Sequence, residues 1–171
     1  MEITEIISFP VVVPGDYSLN GFRMRNPDKL YDIHDEIIDR HFRCSQTFVV
    51  GEKLIAHICG LTGRWEFNEC LGFITDQKGY FPNAIGLTLA FEQGERYLIE
   101  KLREPRMKNN WGPNIIGLDT RNSFWWTQDT HTMFPRLHDQ SIGLNIHWTF
   151  DLTRDDCFGD GEDCLLYFTK Q

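Results

Sequence analysis

The sequence lacks the runs and signatures that would assign it at once. No stretch approaches the roughly 18 consecutive apolar residues of a membrane-crossing helix. The opening MEITEIISFPVVVP carries glutamate where a signal peptide would carry Lys or Arg. A cytoplasmic protein with no membrane attachment is therefore expected. There is no G-x-S-x-G, no P-loop and no G-x-G-x-x-G, which removes the common hydrolase, nucleotide and dinucleotide signatures. Cys44, Cys59, Cys70, Cys157 and Cys164 are an odd number of cysteines and include no C-x-x-C pair. In a reducing compartment such residues serve as small buried apolar side chains, so neither disulfides nor structural zinc nor any cofactor is expected. Positive charge is scarce too: 17 Lys and Arg face 25 Asp and Glu, for a net charge of -8. That surface repels phosphate backbones and anionic membranes, so direct nucleic-acid binding is not expected.

What is present is a globular composition, 41% hydrophobic and 13% aromatic over 171 residues, with no repeat, low-complexity tract or linker. One domain spanning residues 1–171 follows. Residues 1–13 read as an apolar strand closed by Pro14-Gly15, and residues 47–61 as two strands around Gly51-Glu52-Lys53 or one long bent strand. Residues 65–75 and 115–119 also read as extended, as does the stretch Leu144, Ile146, Trp148, Phe150, Leu152, which alternates with polar residues. CLLYFTK makes a last strand. Asn26-Pro27-Asp28 resembles a helix start, and a helix is expected over residues 27–42 with Asp28, Asp32, Asp35, Glu36 and Asp39 along one acidic side. Residues 84–91 alternate like a strand, and 93–104 are helix formers ending before Pro105. One long helix from Ala84, or a hairpin at Gln93-Gly94, fits the same residues.

His147 and Thr149 leave the same face of a strand, and an imidazole beside a hydroxyl can hold a phosphoryl oxygen while moving a proton. His147-Trp148-Thr149-Phe150 resembles the His-x-Thr strand motif of the two-histidine phosphoesterases. That resemblance implies a metal-independent phosphodiesterase with a second such motif facing the same cleft. The nearest counterpart is His57-Ile58-Cys59, where a thiol, a weak hydrogen-bond donor, stands in place of the hydroxyl.

Asp129, His131, His138 and Asp139 could supply metal ligands, but His-x6-His matches no zinc pattern and a polar loop is expected instead. RDDCFGDGEDC fails as a calcium loop, because Phe158 stands at a ligand position when the loop is started at Asp156. Residues 103–114, with Arg103, Arg106 and Lys108 near Trp111, form a polar loop well short of a nucleic-acid footprint.

The architecture expected is α+β: a mostly antiparallel β-sheet with about two helices packed on it. A β-sandwich with one helix is the rival, to be decided by residues 93–104. The leading functional expectation is a small acidic binding protein recognising a protein partner, of the inhibitor, immunity or anti-defence type. Its binding residues would be Asp28, Asp32, Asp35, Glu36 and Asp39. The alternatives are the phosphodiesterase, with catalytic His147, Thr149 and His57, and a carbohydrate- or peptide-binding module stacking ligands on Trp111, Trp125 or Trp126.

Overall fold

Alternation along β1 (Glu2–Val12) buries Ile7, Phe9 and Val11 and leaves Ser8, Pro10 and Val12 exposed. The computed structural model describes residues 2–27, 31–33, 48–103, 114–118, 134–139, 148–153, 157–158 and 163–171. β1 pairs with β3 (Lys53–Thr62), and β3 pairs with β9 (Asp163–Lys170), both antiparallel. β9 is apolar from Cys164 to Phe168 because both of its sides are covered, the pattern of an interior strand. β5 (Asn114–Ile116) joins β9 in parallel, then β6 (Phe134–Asp139) and β7 (Trp148–Thr153) follow antiparallel. β2 (Tyr31–Ile33) lies parallel to β7, so the seven-stranded order is β1-β3-β9-β5-β6-β7-β2. β4 (Trp65–Glu66) and β8 (Cys157–Phe158) form a separate two-stranded ladder.

Helices cover both sides of this sheet. α3 (Asn83–Leu98) lies against Phe9, Leu54, Ala56, Ile58, Leu166 and Phe168. α2 (Phe67–Asp76) packs Cys70 and Ile74 against Cys59, Leu61, Leu165 and Tyr167, which alternate with the first set and so mark the opposite face. The α+β architecture is thus realised, with α1 (Leu19–Arg25) as a third, short helix. No helix among the described residues is long and apolar enough to cross a membrane.

Three local readings are corrected. Residues 84–91 are helix, because the alternation of Ile85, Leu87, Leu89 and Phe91 with small residues reflects close approach rather than a strand. A Cβ added at Gly86 would sit 2.7 Å from the Phe168 ring, and one at Gly94 only 2.2 Å from Phe9. With every residue from Asn83 to Phe91 buried, no polar face remains to reveal a helical period. The strand expected over 65–75 lasts two residues before α2 begins, where the Glu69 carboxylate accepts the Glu66 backbone N–H at 2.8 Å and caps the first turn.

The helix expected over 27–42 is broken by β2, so Asp32 belongs to a strand and not to a helical stripe. Asn26 does not start a helix but ends one. Its backbone N–H bonds the Phe22 and Arg23 carbonyls, its side-chain amide also donates to Phe22 O at 3.0 Å, and Pro27 follows as it commonly does after a helix C-terminus.

The exposed edge of β1 is closed by side-chain chemistry. Val13 exchanges bonds with the 51–52 turn, so alternation turns the backbone groups of Val12 and Pro10 outward. Pro10 has no N–H to leave open. The Gln93 amide accepts Val12 N–H at 2.8 Å and donates to Val12 O at 2.7 Å, standing in for a neighbouring strand.

Candidate functional site

A bulge in β1 builds the best-defined polar cluster. Register slips between Glu5 and Ile7, so that Glu5 pairs with Cys59 while Ile7 pairs with Ile58. Without the extra residue, Glu5 would share the parity of Ile7, Phe9 and Val11 and point into the apolar core. With it, Glu5 and Ser8 share one face with His57.

The His57 ring is held on three sides. Its Nδ1 lies 2.7 Å from Glu5 Oε2, and because a carboxylate can only accept, Nδ1 carries the proton. In the neutral ring Nε2 accepts from the Thr169 hydroxyl at 2.9 Å. The Ser8 hydroxyl, 2.9 Å from Nδ1, also bonds the Glu5 carboxyl, and the two partners, His57 first, hold that group below the usual glutamate range. Tyr167 stacks on the ring at 4.7 Å and 14°. Burial pushes the Tyr167 phenol and the Cys59 thiol each up to about 12, and the charge of Glu5 adds to both shifts, so neither is ionised at neutral pH. The result is a hydroxyl, an imidazole and a carboxylate in line, the polarity that lets a proton pass from oxygen to Nε2.

A second histidine organises the same face farther along the sheet. Asp163, Asn114, His138 and Thr149 are successive Cα partners across β9, β5, β6 and β7, and Asp32 of β2 continues the register. His138 Nδ1 lies 2.5 Å from Asn114 Oδ1, and an amide oxygen can only accept, so Nδ1 is the protonated nitrogen. The Asn114 amide in turn donates to Asp163 Oδ1 at 3.3 Å. On the opposite face, a π-helical turn after α3 (Ile99–Arg103) brings Arg103 within 3.5 Å of Asp139, both side chains nearly sealed from water.

His57 and Thr149, both singled out from sequence, do not meet. His57 lies on β3 and Thr149 on β7, separated by β9, β5 and β6, or about 19 Å along the sheet at ordinary strand spacing. Thr149 is buried beside His138 rather than beside His57. His147, Asp28, Asp35, Glu36, Asp39, Asp129, His131, Trp111, Trp125 and Trp126 lie outside the described residues. His138 and Asp139 are consecutive in a strand and leave opposite faces, so they cannot share a metal. Among the described residues no group of three or more His, Cys, Asp or Glu could hold one.

The partners of His57 went unnoticed in the sequence because Glu5, Ser8 and Thr169 reach it through register alone. An unbulged strand would have placed Glu5 elsewhere. Compared with protein-family models, curated proteins and solved structures, the chain finds no match, so the functional reading rests on its own geometry.

One further surface stands out. Val49 and Val50 are adjacent in the turn before β3 and are 60% and 59% exposed, and Val12, at the neighbouring end of β1, is 46% exposed. Turn tips draw Gly, Asn, Asp and Ser, and here Gly51, at φ +79°, already supplies the left-handed residue.

Proposed function

We propose that this is a small acidic binding protein that recognises a protein partner, in the manner of an inhibitor. The observation that carries the reading is the Val49-Val50 pair, two branched apolar side chains held in water by a hydrogen-bonded turn, with Val12 at the strand end beside it. Such side chains stabilise nothing visible in the core, and docking against a partner would remove them from water. The net charge of -8 favours a partner of basic surface, whose approach it would accelerate. Asp28, Asp32, Asp35, Glu36 and Asp39 place five acids close together in sequence and are the residues proposed for that steering.

The test is capture from native lysate by the immobilised protein, compared with Val49→Asp/Val50→Asp. Wild-type protein should retain a partner that weakens with added salt, and the double variant should lose it at least about tenfold while melting at the wild-type temperature. Undiminished capture by the variant, or no specific capture by wild type, rejects the reading.

A further inference from the structure

We propose that Thr169, His57 and Glu5 form a hydrolytic site for small uncharged esters on the face of β1, β3 and β9 that α2 partly covers. The inference rests on the cluster's order, independently of partner recognition. Thr169 Oγ1 lies 2.9 Å from Nε2, to which it donates when the ring is neutral, and Nδ1–H donates to the Glu5 carboxylate at 2.7 Å. A nucleophile's hydroxyl, a base and an orienting acid are recognised by this geometry and these roles, not by sequence position.

Three features separate it from an incidental row of polar side chains. The bulge that turns Glu5 out of the core is an edge irregularity of the sort that re-aims side chains near reactive sites. The Tyr167 ring fixes the plane of the imidazole. Cross-strand register also sets Pro10 and Ile55 in one row with Thr169, two apolar neighbours for an acyl chain. His57 keeps 17% of its side chain exposed and Glu5 52%, so the relay is open to a molecule arriving from solvent. The acidic surface and the Glu5 charge select against an anionic substrate.

The chemistry balances without a cofactor. Thr169 Oγ attacks the ester carbonyl carbon as its proton moves to Nε2, and the carbonyl electron pair shifts to oxygen. Collapse of that adduct breaks the bond to the alcohol oxygen, which leaves with the proton from Nε2. Water then attacks the acyl-threonine, giving its proton to Nε2. Release of the carboxylic acid returns that proton to Thr169. Thr169 and His57 are the catalytic residues, and Glu5 is a positioning residue.

The experiment is hydrolysis of p-nitrophenyl acetate by the full chain, with peptide mapping of the acetylated intermediate. Wild type should release nitrophenol above buffer and carry the acetyl group on Thr169. Thr169→Ser should remain active, whereas Thr169→Val and His57→Gln should lose about 100-fold or more. Glu5→Gln should lower kcat about tenfold with KM unchanged, a split that a general loss of structure would not produce. Turnover by Thr169→Val at the wild-type rate, equal losses in Thr169→Ser and Thr169→Val, or acetyl groups found only on lysines would each overturn the proposal. Val49→Asp/Val50→Asp should hydrolyse normally, which keeps this result distinct from partner capture.

Discussion

On one face of the central sheet Phe9, Leu54, Ile58, Leu166 and Phe168 meet α3, while the other face of the same strands carries Glu5, Ser8, His57 and Thr169. The two sets are separated by single residues along each strand, yet their physics differs. The first excludes water and contributes stability roughly in proportion to buried apolar area. The second satisfies each polar group with a neighbour at 2.7–2.9 Å, which fixes directions more than it adds free energy. Rigid strands packed from behind are what allow a hydroxyl, a ring and a carboxylate to keep their order on a partly wet surface.

The apolar face is most vulnerable at Arg103. Its guanidinium and Asp139 form a polar pair sunk on the α3 side, with 7% and 4% of their side chains exposed. Replacing Arg103 by Met removes the charge paired with a buried carboxylate and should cost about 3–5 kcal/mol. Urea unfolding reads this directly, and the double variant with Asp139→Leu should recover much of the loss.

Gly94→Ala tests how closely that helix must lie. The new methyl would meet the Phe9 ring at 2.2 Å, and the forced shift of α3 or of the ring should destabilise by about 1–3 kcal/mol despite the better helix propensity of alanine. A stabilised variant would mean the α3 interface yields easily.

The smallest effect belongs to the polar face and depends on pH. Glu5 has a carboxyl held below its ordinary value of 4.5 by His57 and Ser8, so the stabilisation it brings is fully present above pH 4.5 and fades as pH falls through the lowered value. With half of its side chain in water the contribution is a fraction of that of a sealed pair. Glu5→Gln should flatten the acid limb of the stability profile by lowering neutral-pH stability by that same small amount and leaving acid-pH stability unchanged.

Legibility followed the same division. β1, β3 and β9 were readable because alternation, or a continuous apolar run between turn residues, survives wherever a strand has two distinct sides or is wholly enclosed. α3 was ambiguous because burial all round erases its period, and α2 was misread because its cap is supplied by Glu69 rather than by an N-cap serine or threonine. Asn26-Pro27 was read backwards, since the same two residues can open a helix or close one. His57 could be picked out as chemically capable, but not its neighbours.

By itself the sequence determined the class: an acidic globular α+β chain with a long first strand and CLLYFTK as its last strand. Composition and local period carry that information because burial acts on each residue in place. Tertiary structure alone decided that Glu5 and Thr169 meet at one imidazole and that His57 and Thr149 do not. Those contacts depend on strand order and on one bulged residue, and pairing register is a long-range property that no stretch of chain contains.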